Sequence, residues 1–295
     1  MGFGTYIQNI DIHNMKTVLG RPRFLWKCLG VLQALLSIWL VQATQHTPSF
    51  TLLALVVWGG AVICMEDQLD DLSIHPSRAS LSAGLLILLY ATWRSCTVLD
   101  KDTGIFILPL LQGIGLAMLA APIRKIHCFG QPIVVLSLFP LQALLTRVLP
   151  EALLAGVTGR LSQMLLLLFG ENAAASGQMV AVGGEVVFIT GSCNSIDLIA
   201  QLTAIAVVFV LAFPIQNVAA KALYVATAPL IAVGFNAVRI AILAAVNGSA
   251  LTNREQVFSF LHDEWGALVF AGQAMMAMGQ IYLSMIEHHL SKRHG

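Results

Sequence analysis

The chain has 295 residues, of which 57% are hydrophobic and only 11% charged, against roughly one quarter charged in soluble domains. With a mean hydropathy of +0.81, this composition identifies a polytopic membrane protein and excludes a soluble globular domain. A formal net charge of +1, with no Lys/Arg strip interleaved with aromatics, leaves no face for nucleic acid.

The N-terminal head carries Lys16, Arg21, Arg23 and Lys27 ahead of an apolar run from Phe24 to Val41. No small-residue cleavage signal follows, so this first span is expected to be retained. Further spans are expected at Phe50–Met65, Ser80–Trp93, Gly104–Ala121, Pro132–Leu149, Ile196–Phe213, Ala222–Val246 and Trp265–Ile286. That makes about eight, since a bilayer crossing takes roughly 20 apolar residues. The expected fold is an all-α polytopic integral membrane protein forming a single domain. Its N-terminal helices cover 24–149, an outer-face segment 150–192, the helices bearing the chemistry 193–286 and a cytoplasmic tail 287–295.

Positive charge in short loops sets orientation. With the basic head in the cytoplasm, Arg124, Lys125, Lys221, Lys292 and Arg293 all fall on that side. The segments 150–195 and 247–264 then lie on the outer side. Within the first of these, "EALLAGVTGRLSQMLLLLFG" reads as an amphipathic helix on the outer surface or as a span. "GQMVAVGGEVVFIT" reads as a short hairpin, because apolar residues alternate around paired glycines.

Cys28, Cys64, Cys96 and Cys128 lie in or beside apolar spans and read as small buried hydrophobes. No C-x-x-C pair suggests zinc or a disulfide framework. Neither His127-Cys128 nor the acidic run Glu66, Asp67, Asp70 and Asp71 has a facing set of ligands, so no metal and no cofactor are expected. The tail histidines His288, His289 and His294 read as solvated.

Cys193 differs from the other four. In "SCNSIDL", Asn194 and Asp197 resemble an N-cap followed by an acid, which places Cys193 at a helix N-terminus. Free N–H groups and the helix dipole favour the thiolate there, although a small residue at a crowded helix entry would look the same. Arg239, in "NAVRIAIL", lies roughly 10 Å along a helix from the polar turn at Asn247. A guanidinium at that depth faces a cavity or counter-charge, or snorkels to the surface. His262, in "FLHDEWG", taken alone reads as a surface histidine. Together the three supply a nucleophile, a proton carrier and oxyanion stabilisation on one face, which are the parts of an acyl-transfer site. Glu185 sits on the same side, able to orient His262 or contact substrate as readily as to be a surface carboxylate.

The order and spacing of "SCNSIDL", "NAVRIAIL" and "FLHDEWG" within a polytopic chain resemble the exosortase/archaeosortase family of membrane transpeptidases, mainly over 182–270. The Asn236-x-x-Arg239-Ile240 element agrees best. The family's Cys-Ser-Gly is here Cys193-Asn194-Ser195, which leaves the subfamily open, a cyanobacterial-type branch included. The resemblance implies Cys193 as nucleophile, Arg239 as oxyanion or thiolate partner and His262 as general acid/base, with Asn236 and Asn194 supporting. It also implies the substrates: secreted proteins carrying a PEP-CTERM-like C-terminal signal made of a short motif, a membrane helix and a basic cluster. They would be passed to a lipid or polysaccharide acceptor at the outer face of a bacterial cytoplasmic membrane. Three other readings remain at this stage: a cysteine protease that releases substrate by hydrolysis, a transporter or channel in which Arg239 binds an anion, and a non-catalytic membrane scaffold that binds a partner helix.

Overall fold

The computed structural model of the chain describes residues 22–45, 48–71, 76–97, 103–190, 193, 195–213 and 217–294. The basic head up to Arg21 lies outside them. Three long helices come first: α1 (Pro22–Gln45), α2 (Pro48–Asp71) and α3 (Arg78–Thr97). A 3-10 turn (Thr103–Ile107) leads into α4 (Leu108–Ala120), and a second (Ile123–Phe129) into α5 (Gly130–Leu136) and α6 (Leu138–Val148). After α7 (Glu151–Leu168) come three strands, β1 (Ala173–Ser176), β2 (Met179–Val182) and β3 (Glu185–Phe188). The chain ends with α8 (Ile196–Ala212), α9 (Val218–Asn247), α10 (Arg254–His262) and α11 (Glu264–His294).

Among the described residues five helical segments are long and apolar enough to cross a membrane: Phe24–Thr44, Ile123–Leu145, Glu151–Leu168, Val218–Asn247 and Trp265–Glu287. Three shorter apolar helices accompany them, Phe50–Met65, Gly104–Ala120 and Ile196–Ala212. Of the eight expected spans four reach this length and hydropathy, three are the shorter helices, and two further differences stand out. Helix α3, expected as a span, is not among the five, its apolar run being diluted by Ser80, Ser82, Thr92, Arg94 and Ser95. Helix α7, which the sequence left undecided, meets the length and hydropathy of a crossing.

The expected run Pro132–Leu149 is interrupted. Pro140 offers no N–H to the carbonyl of Leu136, where α5 stops, and at the break Ser137 Oγ donates to the Val134 carbonyl at 2.6 Å. Proline breaks of this kind are tolerated in membrane helices when neighbours satisfy the freed groups.

Close helix contacts rest on small residues, as expected where lipid supplies no hydrophobic drive between helices. A Cβ on Gly60 of α2 would lie 2.5 Å from Val208 Cγ2 of α8, and one on Gly84 of α3 would lie 2.9 Å from the Gly115 carbonyl of α4. Buried donors reinforce the same interfaces: Trp26 Nε1 donates to the Leu116 carbonyl at 2.8 Å, and Ser80 Oγ to that of Ala121 at 2.6 Å. Cys28 and Cys96, expected to be buried, are exposed on the surface of this bundle, while Cys64 is buried as expected.

The three strands form an antiparallel sheet in the order β1-β2-β3, the part of the molecule outside the all-α expectation. Strands β2 and β3 make the hairpin expected from the sequence, pairing Val182 with Glu185 across Gly183-Gly184. Both glycines have positive φ, +60° and +87°, which a two-residue type I′ turn requires. The turn also lies against the end of α9: a Cβ on Gly248 would sit 2.6 Å from the Val182 carbonyl. This docks the sheet on α9, and its other side packs on α7.

Candidate functional site

Cys193 lies between the sheet and α8. The asparagine cap expected at Asn194 lies outside the described residues; the residue flanking α8 is Ser195, whose side chain makes no capping bond. Asp197, in the first turn, accepts instead from Gln142 Nε2 of α6 at 3.3 Å. Cys193 is completely buried, in the apolar cluster shared by β2, β3 and the second half of α9. Phe258 and Leu261 of α10 pack against the same cluster. The Cys193 backbone is pinned at both ends: its N–H donates to the Thr190 carbonyl at 3.0 Å, and its carbonyl accepts from Asn236 Nδ2 at 2.8 Å.

Arg239 follows Asn236 by three residues, so both project from one face of α9. Its side chain is 3% exposed, and a guanidinium so deeply buried needs acceptors for its fixed fork of donors. It finds two carbonyls at the end of α10, Nε donating to Leu261 at 3.2 Å and Nη2 to His262 at 2.7 Å. It is also close enough for its charge to act on the Cys193 thiol. One side chain therefore links the segment carrying the cysteine to the segment carrying the histidine.

His262 closes α10, and its imidazole stacks on Phe258 with ring centroids 5.5 Å apart and an interplanar angle of 17°. Nδ1 lies 3.8 Å from Asp263 Oδ1, and the side chain is 41% exposed. Beside it a cleft of about 460 Å³ opens among Glu255, Ser259, Phe260, Asp263 and Trp265. The turn into α11 is tight: a Cβ on Gly266 would fall 2.5 Å from the Phe260 carbonyl and 2.6 Å from Leu261 Cα.

Glu185 does not meet His262 among the described contacts. Its carboxylate faces Arg254 Nη1 at 3.3 Å, and the same nitrogen donates to the Asn247 carbonyl at 2.9 Å. The ion pair therefore clamps the hairpin to the turn between α9 and α10. Among the described residues no group of three His, Cys, Asp or Glu side chains could hold a metal ion.

Three hydroxyls join the site, none of them given a role from the sequence. Ser195 Oγ accepts from Asn236 Nδ2 at 3.0 Å and lies 3.0 Å from Thr158 Oγ1 of α7. One turn on, Ser162 Oγ donates to the Ala237 carbonyl at 2.9 Å. The signal available was spacing: Ala155, Thr158, Gly159 and Ser162 form a small, weakly polar face of α7, and all four are buried.

The sequence matches the transmembrane exosortase family over residues 39–279. No curated protein and no solved structure matches. The match covers more than half of the chain and contains Cys193, Asn236, Arg239 and His262, and the chain belongs to that family.

Proposed function

We propose that this member of the exosortase family is a cysteine transpeptidase of a bacterial cytoplasmic membrane. It cleaves C-terminal sorting signals of secreted proteins and transfers the trimmed protein to a lipid or polysaccharide acceptor. The observation that carries the reading is the inner face of α9, where Asn236 holds the Cys193 carbonyl and Arg239, three residues on, holds the His262 carbonyl. A thiolate needs a neighbouring cation, and the tetrahedral oxyanion formed on an attacked carbonyl needs the same.

The Cys193 thiolate attacks the scissile carbonyl, and the oxyanion is stabilised by Arg239. The C–N bond breaks as imidazolium His262 passes its proton to the leaving amine, leaving an acyl thioester. Neutral His262 then takes the proton of the acceptor nucleophile as it attacks the thioester, and Cys193 departs as thiolate. Asp263 Oδ1 lies 3.8 Å from His262 Nδ1, on the same turn as the proton carrier. Asn236 supports by fixing the Cys193 backbone, and Glu185 by clamping the hairpin through Arg254. Asn194 is assigned a supporting role from its position beside the nucleophile alone.

Several features support a site at the outer membrane surface. Helix α9 has 30 residues, about 45 Å at 1.5 Å per residue, against a hydrocarbon core of about 30 Å. A helix of that length tilts, kinks or projects, and Arg239 lies in its C-terminal third. The sheet has two open edges, which do not occur in hydrocarbon. Arg160 is exposed near the middle of α7, which the sheet flanks. Helix α7 is therefore assigned to the membrane surface, and the basic loops assign that surface to the outer side.

The test is reconstitution with a tagged secreted protein bearing such a signal. Wild-type enzyme is expected to shorten the substrate and attach it to an acceptor, with a thioester to Cys193 trapped by mass spectrometry. Cys193→Ala is expected to insert normally and process nothing. Processing by that variant would overturn the assignment of the nucleophile, and products ending only in free carboxylates would make the enzyme a hydrolase.

A further inference from the structure

We infer that Thr158 and Ser195 are positioning residues for the nucleophile, so that α7 serves the reaction as well as the membrane surface. The inference rests on the reading of Cys193 as nucleophile and adds two residues to it. The starting point is the Asn236 amide. A carbonyl only accepts, so the Cys193 carbonyl at 2.8 Å must face the amide nitrogen. The same nitrogen lies 3.0 Å from Ser195 Oγ, which therefore accepts its second proton. Ser195 Oγ also lies 3.0 Å from Thr158 Oγ1, a bond in which either hydroxyl can donate. Asn236 thus donates both ways, and an unbroken set of bonds joins the Cys193 carbonyl through Asn236 and Ser195 to Thr158.

All four residues are buried: Cys193 and Thr158 at 0%, Ser195 at 1% and Asn236 at 4% exposure. No bulk water replaces a missing partner there, so the geometry of each bond depends on the next. Thr158 is itself held: Ser162 Oγ lies 2.8 Å from the Thr158 carbonyl and 2.9 Å from the Ala237 carbonyl, and its single proton is shared between them. Without the Ser195 hydroxyl the Asn236 amide keeps the Cys193 carbonyl as the one acceptor of this pair, so the amide plane, and with it the cysteine peptide it holds, is less tightly fixed.

Such a role separates from a packing role by chemistry. Thr158→Val keeps shape and removes the hydroxyl, while Thr158→Ser keeps the hydroxyl and removes a methyl. The expected result for Thr158→Val is a fall in kcat of about 10- to 100-fold with KM unchanged, the size of effect produced by misplacing a reacting group by an ångström or less. Thr158→Ser is expected to stay within about threefold of the parent. Ser195→Ala should resemble Thr158→Val, and the double variant should be little worse than either single one, because they interrupt one chain.

The readout independent of turnover is the pH profile of Cys193 alkylation, measured with the other four cysteines replaced. Both hydroxyl-deleting variants should shift it relative to the parent, and Thr158→Ser should not. An equal loss in Thr158→Val and Thr158→Ser, a rise in KM alone, or an unshifted alkylation profile would overturn the inference. If instead Cys193→Ala still processes substrate, the nucleophile assignment falls. If Cys193 proves essential while Thr158→Val works at the parental rate, this inference alone falls.

Discussion

Arg239 and His262 are joined through the backbone: Nη2 of the arginine donates to the histidine carbonyl at 2.7 Å while Nε holds the preceding carbonyl, that of Leu261. The consequence is that the guanidinium cannot be replaced by a simple charge. Lysine retains the cation but has a single, strongly hydrated head that cannot span two carbonyls and still face the thiol. Arg239→Lys is therefore expected to lose about 10²-fold or more in kcat, comparable to removing an oxyanion donor, and Arg239→Gln to lose at least as much. Single-turnover cleavage of a tagged substrate measures both. A lysine variant at parental rate would mean that charge alone suffices and that the fork to the α10 carbonyls is incidental.

The corner carrying His262 depends on a glycine. Any side chain at Gly266 would place Cβ against the Phe260 carbonyl and Leu261 Cα, at 2.5 and 2.6 Å, and both are backbone atoms that cannot swing aside. Gly266→Ala is expected to destabilise the protein by about 1–3 kcal/mol through overpacking and to cut processing, because Leu261 and His262 must shift together with their hold on Arg239. Thermal unfolding in detergent and the cleavage rate are the two measurements. A variant with parental melting and parental activity would show that the α10–α11 turn relaxes without moving the histidine.

The three segments that carry the chemistry were legible because each places an unusual residue beside or within an apolar run: a thiol, a guanidinium and an imidazole followed by acids. The hairpin was legible for a local reason, since Gly183-Gly184 between alternating apolar residues specifies its own turn. Thr158 and Ser195 were not, because hydroxyls among leucines and glycines read equally well as helix surface, and only tertiary packing shows which face is turned inward. The break at Ser137 was hidden by the hydropathy of the run around it, which is unaffected by how Pro140 divides it. Helix α3 falls outside the five for the converse reason: the polar residues at either end dilute a core of leucines. Strand β1, with the sequence "AAAS", carries no strand signal of its own and exists because β2 offers an edge and α7 a surface.

The pair between Glu185 and Arg254 gives a contrasting expectation. At 3.3 Å, with side chains 48% and 35% exposed, it is a surface ion pair of a kind worth about 0.2–1 kcal/mol. Glu185→Gln is expected to lower stability by no more than that, with a smaller loss at high salt, and to leave kcat within about threefold. Melting curves at two ionic strengths together with cleavage rates decide it. A loss of several orders of magnitude in kcat would instead give Glu185 a direct part in the reaction.

The placement of α7 can be measured directly. Its outward face runs through Leu153, Val157, Leu161, Met164 and Leu168, all exposed, with Arg160 among them, while Thr158 and Ser162 face the catalytic helices. A crossing helix would put Arg160 near the bilayer centre, at a cost of about 2.5–3.5 kcal/mol, and would carry the open sheet beside it into hydrocarbon. Spin labels placed singly at 153, 157, 161, 164 and 168 in lipid nanodiscs are expected to prefer oxygen over a water-soluble relaxant, since that face meets lipid. All five should report depths within the headgroup and upper acyl region, about 5–10 Å below the surface, with none at the midplane. A profile that deepens to the midplane near 161 and rises again toward 168 would make α7 a span, reverse the orientation of every helix after it and move Cys193 away from the outer surface.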